Sequence, residues 1–61
     1  MARTYPVTRF SEIEQDADGT WAVVNLVTGL EVRVGLSYAD AKISAREIGQ
    51  GYAATERKAG W

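Results

Sequence analysis

The chain has no cysteine and no histidine. The first absence excludes disulfides, and the two together remove the usual ligands of zinc and haem. They also remove the commonest catalytic base and the most nucleophilic side chain. A cysteine-free chain fits a reducing compartment. Long apolar runs are missing too. The opening MARTYPVTRF carries no secretory signal, and no segment approaches the roughly 20 apolar residues of a membrane span. The expectation is a soluble cytoplasmic protein. Charge of one sign is also lacking: seven basic and eight acidic residues leave −1, whereas a general nucleic-acid binder carries a basic excess. The single proline, Pro6, lies in a polar opening segment and suits an edge or pre-strand position.

Sixty-one residues make one small domain, 1–61, with a thin core. A chain of this length buries only about 60% of the surface it exposes when unfolded. The patterning predicts an α+β fold, a three-stranded antiparallel β-meander packed against one α-helix (βββα). The strands span about 7–15, 20–26 and 30–35, the helix about 38–49, and 50–61 forms a weakly ordered or helical C-terminal tail. TWAVVNLV and LEVRV are β-branched and apolar, and a loop Val27-Thr28-Gly29 with a left-handed glycine joins them. That loop sets Leu26 against Leu30, Val24 against Val32 and Ala22 against Val34, six apolar residues on one face. Val23, Asn25, Glu31 and Arg33 take the other. A two- or four-residue loop at DADG then places Ile13 on the Val24 face and sends Phe10, Glu12 and Glu14 outward. A three-residue loop would bury both glutamates, at a cost of several kcal/mol.

The strongest local signal is GLSYADA. Ser37 is an N-cap, Asp40 stands at the third helical position, and Leu36 is placed to meet Ala41. Ala41, Ala45 and Ile48 follow at helical spacing, with Tyr52 extending the stripe. Gly49 and Gly51 end the helix or weaken it.

Three chemistries compete for the remaining residues. In EIEQDADGTW, Glu14, Asp16, Asp18 and Gly19 resemble the opening of an EF-hand calcium loop. The closing position is Asn25 in place of a bidentate glutamate, and a strand follows where the family has a helix. Asp and Gly as turn formers account for the segment. Catalysis finds no activated nucleophile, since Ser11, Ser37 and Ser44 lack a base. Glu12 and Glu14 would need a cleft to part their pKa values. Neither metal nor cofactor is expected, and the chain reads as a non-enzyme.

The order of strands and then a helix, with GLSYADA at the transition, resembles the DNA-binding domains of phage integrase arms and AP2-type factors. That resemblance implies DNA read from the exposed sheet face, with Arg9, Arg33, Lys42 and Arg46 as candidate phosphate contacts. Three acids against Arg33 on that face are the wrong balance for a groove. The reading taken forward is therefore a protein-binding face of Phe10, Glu12, Glu14, Asp16, Asp18, Trp21, Val23, Glu31 and Arg33. Trp21 is its apolar anchor and a basic protein its partner. By size and charge pattern the chain resembles phage or mobile-element accessory and inhibitor proteins of the anti-CRISPR kind. The other readings are a nucleic-acid-binding regulator and a homo-oligomer that buries Trp21 and Trp61.

Overall fold

The first expected strand is a hairpin. Thr4–Thr8 (β1) turns at Arg9 and Phe10 and returns as Ser11–Gln15 (β2). The turn carries no glycine and no Asn or Asp; hydroxyls hold it. The Phe10 N–H donates to Thr8 Oγ1 at 3.1 Å, and the Thr8 and Ser11 hydroxyls lie 2.7 Å apart. Trp21–Asn25 (β3) and Leu30–Leu36 (β4) complete an antiparallel sheet of order β1-β2-β3-β4, so there are four strands where three were expected. One helix, Tyr38–Gly60 (α1), packs on one face and makes the fold α+β. The computed structural model describes residues 3–60, and side chains for residues 3–56. Trp61 lies outside the described residues.

The helix begins as its sequence dictates. Ser37 Oγ accepts the Asp40 N–H at 3.2 Å, and Asp40 adds a negative charge to the first turn. Of the two alternatives for the tail the helical one is found: α1 runs through Gly49 and Gly51 to Gly60. Tertiary contact carries it past the glycines. Tyr52 stacks on Phe10 with ring centroids 5.3 Å apart, and its hydroxyl accepts from Asn25 Nδ2 at 3.0 Å. Gly49 is present for space: a Cβ there would lie 2.5 Å from the Thr8 side chain. Gly51 has nothing within 4 Å of that position.

The register reverses the expected faces. Gln15 pairs with Trp21, Ile13 with Val23, and Glu12 with Val24. Asp16 N–H bonds Thr20 O at 2.8 Å and Gly19 N–H bonds Asp16 O at 3.0 Å, with Gly19 at φ 89°. The connection is thus the three-residue loop Ala17-Asp18-Gly19 that the burial argument had disfavoured. The second hairpin differs as well. Asn25 pairs with Leu30, leaving a four-residue loop, and β4 is bulged twice against β3, opposite Val23 and opposite Ala22. Ile13, Trp21 and Val23 consequently face the helix, where they form the core with Ala41 and Ala45. Val7, Leu36 and Ile48 close its margins. Trp21 is 9% exposed, with its ring 5.8 Å from Tyr5 and 5.0 Å from Tyr38. Glu12 and Glu14 share the opposite, uncovered face with Ala22 and Val24, so the three-residue loop buries no carboxylate in the core.

Both sheet edges are blunted against strand addition. Pro6 interrupts the donors of β1, and the two bulges with Gly35 at φ 72° bend β4.

At about 0.05–0.15 kcal/mol per residue, a chain of this size has only about 3–9 kcal/mol of stability. Trp21→Ala should cost about 3–5 kcal/mol, a third or more of that total, and lower the urea midpoint followed by circular dichroism more than any single surface substitution. The two helix glycines should respond oppositely to alanine. Gly49→Ala forces α1 off the sheet and should lower the urea midpoint. Gly51→Ala should raise stability by about 0.5–1 kcal/mol through helix propensity.

Candidate protein-binding face

Strand pairing builds the uncovered face from two rows. Pro6, Glu12, Val24 and Glu31 are successive cross-strand neighbours over all four strands. Thr4, Glu14 and Ala22 form the second row, which ends at the bulge holding Val34 and Gly35. The pleat spaces Glu12 and Glu14 about 7 Å apart along β2, and two strand spacings put Glu31 about 10 Å from Glu12. Three carboxylates therefore surround a half-buried Val24, while Ala22 in the second row is fully buried. Among the described residues, no base shares this face. The one ion pair among them, Arg9 with Glu56 at 4.0 Å, lies elsewhere.

The structure divides the sequence-derived site. It brings Glu12, Glu14 and Glu31 together and sets Asp16 and Asp18 at the adjoining turn. It removes Trp21 and Val23, which are buried beneath α1. Phe10 is half-buried, sandwiched between the Tyr52 ring and the Arg9 guanidinium, which lies 5.3 Å from its centroid. Arg33 pairs with Val23 and points to the helix side, where it lines the β4–α1 groove. Alternation governs three of these corrections, because inverting β3 carries Trp21 and Val23 inward together with Arg33, the partner of Val23. Phe10 lies in the β1–β2 turn, outside the alternation, and packs on Tyr52. The aromatic half of the expected surface belongs to the core and its margin; the acidic half is the surface.

The other candidate bases lie apart. Lys42 and Arg46 line a groove of about 300 Å³ between β1 and α1, and Arg9 with Arg46 borders the adjoining cleft by Phe10. Lys42 Nζ sits 5.2 Å over the Tyr38 ring. Arg33 is on the opposite flank of the helix. No family model, curated protein or solved structure matches the chain.

The acidic turn works as a turn. Asp18 Oδ1 accepts the Thr20 hydroxyl at 2.6 Å and the Thr20 N–H at 3.0 Å. These two bonds, the hydroxyl's first, hold the Asp18 carboxyl below its ordinary value. Among the described residues no three His, Cys, Asp or Glu side chains gather as a metal site.

A depressed folded-state pKa means that Asp18 stabilises the fold above its unfolded value, near 3.8. That contribution is lost as pH falls through the lower folded value. Asp18→Asn should therefore flatten the acid limb of the stability profile below about pH 4 and leave stability nearly pH-independent through neutrality. Urea melts from pH 2 to 7 measure it.

Proposed function

We propose that this chain is a small non-catalytic protein-binding module whose open sheet face docks on a basic surface of a partner protein. The observation that carries the reading is the set of Glu12, Glu14 and Glu31 around Val24, on a face that α1 leaves bare and no base neutralises. With Trp21 in the core, the contact has no aromatic anchor and is mainly electrostatic. Its size sets its strength. Four strands about 4.8 Å apart and about 17 Å long present roughly 300 Å² of sheet, against about 800 Å² per partner in a standard interface. Such a face makes a fast, salt-sensitive contact that selects partners by charge. An inhibitor that occupies a basic nucleic-acid channel, of the anti-CRISPR kind, fits this description by analogy of size and charge.

The nucleic-acid reading has less support. In the integrase-arm and AP2-type arrangement the open sheet face meets DNA, and here that face would set glutamates against phosphates. The bases are divided between the two flanks of α1. No described helix is long and apolar enough to cross a membrane.

A pull-down comparing the wild type with a Glu12→Lys, Glu14→Lys double variant tests the proposal. The wild type should retain basic proteins at low salt. Recovery should fall at least tenfold in the variant, and similarly for the wild type in 0.5 M salt, where the screening length is only about 4 Å. Equal recovery by both baits would refute the acidic face. Steeply salt-dependent binding of duplex DNA by the wild type would favour the regulator reading.

A further inference from the structure

A second region of the surface is apolar. Leu26, Val27, Leu30, Val32 and Val34 are 43–66% exposed, all on the β3–β4 hairpin and β4. Among the described residues the fully buried large aliphatics are only Ile13 and Val23. On the helix side the cause is the seating of α1, which packs on β1, β2 and β3 and reaches β4 least; Leu26 and Val34 lie at the same edge towards the uncovered face. Between β4 and α1 runs an open groove of about 300 Å³, lined by Asn25, Val32, Arg33, Ser44, Glu47 and Ile48.

We infer that this flank is the docking surface for a second copy of the chain, forming a two-fold dimer in which the β4–α1 grooves face one another. Area is the first argument. The five aliphatics present on the order of 400 Å², within the range of the largest apolar patch a monomer leaves bare. Adding the groove walls brings the contact towards the ~800 Å² per subunit of a standard interface.

Charge is the second argument. Arg33 and Glu47 line the same groove, so it is self-complementary in sign, and a two-fold axis can set the Arg33 of each copy against the Glu47 of the other. A strongly acidic or strongly basic partner would find no matching field there. Closure is the third. The bulges and Gly35 deny β4 a flat row of free backbone groups, so side chains make the contact and it ends at two copies. A core this thin gains most from such a partner. The two surfaces meet along β4, where Glu31 and Val34 belong to the rows of the open face, but Glu12 and Glu14 on β2 lie outside the dimer contact, so the two readings are tested by different residues.

Sedimentation of the full chain over a hundredfold concentration range tests it. The expected mass is twice 6.7 kDa, falling to the monomer on dilution. Leu30→Gln with Val32→Thr alters two exposed positions and keeps the β-branch at 32. It should move the midpoint to at least tenfold higher concentration with an unchanged far-ultraviolet spectrum. Filtered NOE spectra of mixed labelled and unlabelled wild type should show contacts from the Leu30 and Val32 methyls to the other copy, a readout that needs no variant. The Glu12→Lys, Glu14→Lys protein should dimerise like the wild type. A monomer at every concentration overturns the inference. So do a dimer lacking those methyl contacts and a dimer lost in the Glu12, Glu14 variant.

Discussion

The structure depends on how closely the helix approaches the sheet. Ser11 Oγ donates to the Ala45 carbonyl at 2.5 Å, a side chain of β2 reaching the backbone of α1 across the core. Such contact needs small residues on the facing helix surface, and Ala41, Ala45 and Gly49 supply them. The Ser11 proton is committed to Ala45, so the Thr8 hydroxyl donates to Ser11 and accepts from the Phe10 N–H in turn. One chain of hydrogen bonds therefore runs from the β1–β2 turn to the helix backbone. The strand hairpin and the helix seat are fixed by the same atoms, and among the described residues no buried side-chain nitrogen or oxygen is left without a partner.

Close seating has a consequence for every other surface. A helix lowered onto β1, β2 and β3 leaves little volume for large side chains, so the core is one tryptophan with a few small and medium residues. Its overhang follows from length. Twenty-three residues at 1.5 Å extend about 35 Å, twice the roughly 17 Å of a five-residue strand. The Phe10–Tyr52 stack and the Asn25–Tyr52 hydrogen bond hold α1 at the sheet margin. Nothing comparable holds it over β4. The thin core, the bare β4 flank and the uncovered sheet face are three results of one packing choice.

Signals that act locally were readable in the sequence. Ser37, Leu36 and the Ala41–Ala45–Ile48 stripe do what their spacing implies, because a cap and a helical face depend on neighbours within one turn. The sheet was harder, since both alternate sets of β3 are apolar: Trp21 and Val23 on one side, Ala22 and Val24 on the other. With no contrast between faces, register decides which is buried, and register depended on two loops. The Ala17-Asp18-Gly19 loop has the usual glycine signature, but the assumption that Ala22 and Val24 were core made it look costly. The bulges in β4 broke the pairing of Leu30, Val32 and Val34 that had made the opposite face attractive. The fourth strand was hidden because its turn is held by hydroxyls, and Gly49 reads as a stop or a weak point in the helix because its purpose is tertiary. The acidic part of the candidate site survived the inversion because Glu12 and Glu14 alternate with Ile13, whichever face Ile13 takes.

A formal charge of −1 describes this molecule poorly. Its charges are unevenly spread: Glu12, Glu14 and Glu31 on the open face, Lys42, Arg46 and the Arg9–Glu56 pair along the β1–α1 flank, and Arg33 with Glu47 in the β4 groove. At physiological ionic strength fields decay over about 8 Å, while the shorter dimensions of the molecule are 19 and 15 Å. A partner at one surface is thus nearly blind to the others. What approaches the open face meets three glutamates and not an almost neutral protein. Near-neutrality, which counted against a charged partner when only composition was considered, places no such limit on a surface that presents one sign of charge.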